Sequence, residues 1–182
     1  GRLGIVALWI GVVIAAIILS RKEEIKLYTV MDLFSLGILM ALSWWNIGEF
    51  WSGSLMGITI NGWWGLPTTY GRVFPVELLA GLLFLLAFMS AWKMERNYRT
   101  LDWYRGKKSS ANTGFILGMG LIGSGIIGLL QAVLSQGYEN YFYYEMILLI
   151  VLGISVIYYR SGRNLESDWH NLASKIPKRS RL

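Results

Sequence analysis

Apolar residues gather in five runs along the chain, separated by shorter polar stretches. Leu3 to Ser20 carries no charge, Thr29 to Trp45 carries Asp32 alone, and Phe74 to Trp92 carries Glu77 near its start. Thr113 to Ser135 is again uncharged, and Tyr141 to Tyr159 holds Glu145 close to its entry. Each run is close to the roughly 20 residues that cross the hydrocarbon core of a bilayer as a helix. A soluble alternative would need consecutive core helices with almost no polar face. The pattern therefore predicts an all-α integral membrane protein with about five transmembrane helices. It divides into a membrane domain over 1–159 and a basic tail over 160–182.

The polar stretches set the orientation. Arg21, Lys22 and Lys26 lie in the first connection, and Lys93, Arg96, Arg99, Arg105, Lys107 and Lys108 lie between the third and fourth runs. Arg160, Arg163, Lys175, Lys178, Arg179 and Arg181 lie in the tail, which leaves only Arg2 and Arg72 of the 17 basic residues elsewhere. Basic residues stay on the cytoplasmic side. Residue 1 is thus expected outside and the C-terminus in the cytoplasm. The net charge of +6 is accounted for by anionic lipid headgroups, with no nucleic acid required.

Composition agrees. Hydrophobic residues make up 54% of the chain and charged ones 15%, against roughly 25% charged in soluble domains. There is no Cys, which excludes disulfides, thiolate metal sites and a Cys nucleophile within these 182 residues. The only histidine, His170, falls in the tail. No Walker loop, metal-ligand cluster, Ser-His-Asp set or dinucleotide fingerprint is present, so no metal or cofactor is implied. The chain opens on Gly1 rather than Met, with no basic stretch leading to a cleavage site. It is expected to lack an N-terminal part, and its first run is not a signal peptide.

The outer side has its own character. Trp44, Trp45, Trp51, Trp63, Trp64 and Tyr70 collect there, as aromatic residues do at a membrane interface. Asn61-Gly62 and Gly65-Leu66-Pro67 mark turns in a long connection expected to roof any site. Before it comes NIGEFWSGSLMG, Asn46 to Gly57. This stretch is too polar to continue a membrane helix comfortably and too apolar for an ordinary loop. Glu49, Arg72 and Glu77 all fall on this side, where either a pairing of Arg72 with one of the acids or a solvated interfacial role is expected. In the fourth run, Gly114, Gly118, Gly125 and Gly128 share one narrow arc at about 100° per residue, while Gly120 and Gly123 face elsewhere. Small residues on one stripe allow close helix packing, or else a groove for a lipid chain.

NIGEFWSGSLMG resembles the signature of the prolipoprotein diacylglyceryl transferase family, G-R-x-G-N-F-x-N-G-E-x-x-G, with Gly48, Phe50, Gly53 and Gly57 in register. Upstream, GRLGIVALWIG is similar to the family's G-G-x-S-F-H-G-G-x-x-G at Gly1 and Gly11. Downstream, FPVELLA is similar to H-P-x-Q-L-Y-E at Pro75 and Leu78. The fourth run looks like the family's G-x-x-x-x-x-G-x-x-R helix. The resemblance implies a bacterial inner-membrane protein, multi-pass in the plasma membrane. The implied reaction moves a diacylglyceryl group from phosphatidylglycerol to a lipobox Cys on a prolipoprotein signal peptide. The implied lipid-binding candidates are Asn46, Gly48, Glu49, Phe50, Gly53, Arg72 and Glu77.

The departures concern the polar groups. The family's His falls on Val6, the Arg of its signature on Asn46, its two Asn on Glu49 and Ser52, and its Glu on Ser54. The His and Tyr of the third-run motif fall on Phe74 and Leu79, and the fourth-run Arg on Ser124 or Gly128. Guanidinium groups suit a phosphate ester because they are planar, permanently charged and bidentate. A neutral imidazole suits thiol deprotonation. With both absent from the membrane region, no catalytic residue can be assigned and little transfer activity is expected. Two other classes stay open: a non-catalytic membrane module that binds lipid or a partner helix, and a small transporter subunit.

Overall fold

The computed structural model describes residues 4–53, 57–63, 65–68, 71–97, 112–136, 140–163 and 168. Helix α1 spans Gly4–Lys22, α2 Leu27–Trp51, α3 Val76–Asn97, α4 Phe115–Leu134 and α5 Asn140–Ser161. All five are long and apolar enough to cross a membrane. A short hairpin, β1 Leu66–Thr68 and β2 Gly71–Val73, lies between α2 and α3. The protein is a multi-pass helical membrane protein.

Helix α4 is central. It packs against α5, α3 and α2, while α2 also meets α1 and α3. Burial follows the same order: 61% of α4's apolar window lies inside the protein, against 11% for α1. The glycines explain why α4 can hold that place. Gly118 faces Gly153 and Ile157 on α5, Gly120 faces Trp9 on α1 and Ser35 on α2, and Gly123 faces Ala87 on α3. With no Cβ on those faces, neighbouring backbones can approach closely, and dispersion contact replaces the hydrophobic drive that lipid does not supply. Phe84, Leu39, Ile116 and Met146 fill the space between helices and are almost wholly buried.

The helix ends differ from the apolar runs. Helix α2 does not stop at Trp45 but runs on to Trp51, taking the first half of the polar signature into the helix. Continuation is possible because the Asn46 amide is buried and hydrogen-bonded rather than left facing lipid. The helix stops where Gly53 takes φ +78, after Ser52 N–H has bonded to Gly48 O and Gly53 N–H to Phe50 O. A residue without Cβ suits that left-handed stop.

The outer connection is ordered by backbone pairing. Leu66 pairs with Val73 and Thr68 with Gly71 in an antiparallel register. Residues 57–60 join the other edge of β2: Ile60 N–H bonds to Arg72 O at 2.8 Å and Phe74 N–H to Ile58 O at 3.0 Å. The turn expected at Gly65-Leu66-Pro67 is instead the entry to β1, where Pro67 sits on an edge strand that needs no second ladder donor. Ile58 N–H also bonds to Leu134 O at 2.9 Å, which satisfies a carbonyl at the C-terminal end of α4. The cap is therefore stitched to the bundle.

Candidate functional site

The outer ends of α2, α3 and α4 hold most of the residues singled out by the sequence. Asn46 is 3% exposed on α2. Its Nδ2 donates to Leu42 O at 2.8 Å, and its Oδ1 accepts from Gln131 Nε2 of α4 at 3.0 Å. Gln131 is itself buried. The two amides form a neutral link between α2 and α4, with no fixed charge to offer an anion.

The other signature residues diverge from Asn46. Gly48 is exposed, and nothing lies within 4 Å of where its Cβ would be. Glu49 and Phe50 are half-buried, and Phe50 meets Trp51 edge-on with centroids 5.6 Å apart. Gly53 is exposed at the helix stop. Gly57 has a definite structural duty, since an added Cβ would fall on the Phe74 carbonyl. Ser54 lies outside the described residues, as does His170 and all of the basic tail beyond Arg163 except Asp168.

Glu77 and Arg72 do not form the pairing anticipated from their proximity in sequence. Arg72 is exposed on β2, and its Nη1 donates to Gly62 O at 3.2 Å. Glu77 is 2% exposed in the first turn of α3, where a carboxylate favours the positive end of the helix dipole.

Between α3 and α4 runs an apolar groove lined by Val76, Ala80, Leu83, Ile127 and Gln131, and it leaves no room for a water molecule. Among the described residues no cluster of three or more His, Asp or Glu is placed to hold a metal ion.

The four stripe glycines all face α5 or its end. A Cβ on Gly118 would strike Ile157 and come within 2.9 Å of Gly153 O, and one on Gly125 would come within 2.6 Å of Met146 O. One on Gly128 would strike Met146 Sδ, and one on Gly114 would come within 3.0 Å of Arg160 Cγ. The stripe is occupied by a helix of this same chain, so it offers neither a lipid-chain groove nor a berth for a separate partner helix.

Several structurally important groups lie outside the sequence pattern. Gln131 is an uncharged polar residue inside the longest apolar run, and its interruption of that run is its only signal. Ser43 donates to Gly81 O at 2.8 Å, joining α2 to α3 at a glycine whose Cβ would come within 2.7 Å of Ile47. At the opposite, basic end, Arg160 Nε donates to Thr113 O at 2.7 Å and its guanidinium lies 4.1 Å from the Tyr28 ring centroid. Asn112 Nδ2 donates back to Arg160 O at 3.1 Å. Arg160 reads in sequence as a tail charge, but in three dimensions it ties α5 to the entry of α4 and to α2.

No protein family, curated protein or solved structure matches the chain.

Proposed function

We propose that this chain is a bacterial inner-membrane protein built on the prolipoprotein diacylglyceryl transferase scaffold, binding phospholipid at its outer end without carrying out diacylglyceryl transfer. The resemblance in the order of spans and in the glycines of the signature supports the scaffold. The observation that carries the loss of transfer is the Asn46–Gln131 pair. In the resemblance, Asn46 stands where the family has an Arg, and Ser124 or Gly128 where it has another. Asn46 bonds to α4, and Ser124 and Gly128 are buried on that same helix. Neutral groups thus stand at the positions where the family carries its two guanidinium groups.

Removing one preorganised donor from a developing anion costs about 2.7 to 4 kcal/mol, on the order of a hundred- to a thousandfold in rate. Losses within a set that acts together do not add simply, but little specific catalysis survives them. Lipid contact needs only the apolar scaffold and the interfacial aromatics. Trp44, Trp45, Trp51 and Trp63 are 62% to 87% exposed and supply a belt on that side.

The test is an assay of the full-length protein with phosphatidylglycerol vesicles and a lipobox peptide. No diacylglyceryl-peptide is expected, while retention of phosphatidylglycerol through purification is. Turnover abolished by Glu49→Gln or Glu77→Gln would show that carboxylates have taken over the missing roles, and would overturn the proposal.

A further inference from the structure

The basic end of α3 presents an open surface formed by Trp92, Lys93, Arg96 and Asn97. Part of that surface is fixed by packing. Phe88 stacks on Trp92 with centroids 6.2 Å apart and planes 18° apart, and the Arg96 guanidinium lies 5.6 Å from the Trp92 ring centroid. Trp92 is therefore held between an aromatic ring and a cation, and it remains 52% exposed.

The helix below this surface continues the same face. Leu82, Leu86 and Met89 are 47%, 58% and 55% exposed. At 100° per residue, Leu82, Leu86, Met89, Lys93 and Arg96 fall within about 80° of arc. The neighbouring acid, Glu95, falls on the opposite side of the helix. An apolar track thus ends in two cations beside a fixed aromatic ring. That sequence of chemistry matches one molecule laid along the helix: an acyl chain on the track, a glycerol backbone level with Trp92, and a phosphodiester at Lys93 and Arg96. Guanidinium binds phosphate oxygens in a planar, bidentate manner, and the ammonium adds a compact second charge.

We propose that Trp92, Lys93 and Arg96 form a binding site for one anionic phospholipid of the cytoplasmic leaflet. It is separate from the outer-end lipid contact described above and does not depend on it. Its basis is the Phe88–Trp92–Arg96 arrangement, the exposed apolar track and the charge-derived orientation of the helices. Zwitterionic lipid would occupy the same track but would bring a quaternary ammonium close to two cations, so the site selects by charge.

The experiment uses the intact protein in phosphatidylcholine vesicles containing phosphatidylglycerol with brominated acyl chains, which quench nearby Trp fluorescence. The contribution of Trp92 is the difference between the unaltered protein and Trp92→Phe. Brominated phosphatidylglycerol is expected to associate at Trp92 about tenfold more strongly than brominated phosphatidylcholine, given that each basic side chain near the surface contributes severalfold. The preference is expected to vanish in Lys93→Gln/Arg96→Gln and to persist in Arg21→Gln/Lys26→Gln, which removes two cations from the same membrane side. Equal quenching by both lipids in the unaltered protein would overturn the site, leaving only unselective boundary lipid. Equal loss in both double variants would reduce it to general surface charge. Displacement by millimolar inorganic phosphate would make it a site for a free anion, and would also overturn the proposal. Each readout is independent of transfer to a lipobox peptide, so failure here and failure of the outer-end proposal are distinguishable.

Discussion

The Asp32 carboxylate on α2 closes the N-terminus of α4 by accepting the backbone N–H of Gly114 at 2.7 Å, and its second oxygen accepts Leu117 N–H at 2.8 Å. Helix N-termini leave donors without intrahelical partners, and a carboxylate there also meets the positive end of the dipole. Gly114 takes φ +116 at this junction. Asp32→Ala would strand two buried donors, at about 1 to 3 kcal/mol for each group left unsatisfied. A net loss of about 3 kcal/mol is expected, with a smaller one for Asp32→Asn, which keeps one acceptor oxygen. Reversible unfolding in bicelles would measure it, and an Asp32→Ala protein as stable as the original would refute the cap.

The contact between α4 and α5 gives a second expectation. Gly118→Leu drives a side chain into Ile157 and the Gly153 carbonyl. Gly123→Leu meets only Ala87 Cβ, 3.9 Å from the new Cβ. Overpacking costs about 1 to 3 kcal/mol, and more where backbone must move. Gly118→Leu is expected to destabilise by at least 2 kcal/mol more than Gly123→Leu, by order of magnitude. Equal melting of the two variants in detergent would contradict the packed stripe. Gly120 is not a suitable control, because its Cβ would come within 2.9 Å of the Trp9 ring.

What the sequence made legible, and what it did not, divides along a physical line. Apolar run length reports what a bilayer tolerates, so the five helices were visible, and helical periodicity put Gly114, Gly118, Gly125 and Gly128 on one side. Partner identity is a tertiary property. Nothing in the run containing Gln131 says that it meets Asn46, and that contact is why α2 outlasts its apolar stretch by a turn and a half. Asp32 reads in sequence only as the single charge of its apolar run. In three dimensions it is buried and satisfied by backbone from a helix 82 residues further along. The site candidates were legible only as a neighbourhood: the outer ends of α2 and α3 hold them, but Asn46 and Glu77 are buried while Gly48 and Arg72 face outward.

The Asn46–Gln131 link can be isolated by a double-mutant cycle. Asn46→Ala, Gln131→Ala and their combination are expected to show a coupling of about 0.6 kcal/mol, with roughly 1.7 as the upper end for polar pairs between membrane helices. Strictly additive effects in the same unfolding assay would mean that the pair contributes nothing as a pair.

Orientation is checked by single-Cys labelling. The chain has no native Cys, so each introduced thiol is unique. Asn61→Cys in the cap is expected to react with an impermeant maleimide in intact cells, and Glu24→Cys in the α1–α2 turn only after permeabilisation. Both positions are exposed. The reverse pattern would invert the topology and remove the cytoplasmic-leaflet lipid site with it.

Helix α4 is held at both ends by segments that precede it in the chain: Asp32 at its start and Ile58 at its finish. That arrangement carries a consequence for biogenesis. When α4 leaves the insertion machinery, the groups that satisfy its terminal N–H and C=O have already been synthesised, and Asn46 is in place for Gln131. The helix with the most glycine, and so the weakest helix propensity of the five, enters a socket rather than open lipid. Only α5 has still to arrive, and it docks on the bare glycine face that α4 has kept for it. A chain truncated just after Leu134 and released into the membrane should therefore already hold α4 against α2, with the α5 face open to whatever assists assembly.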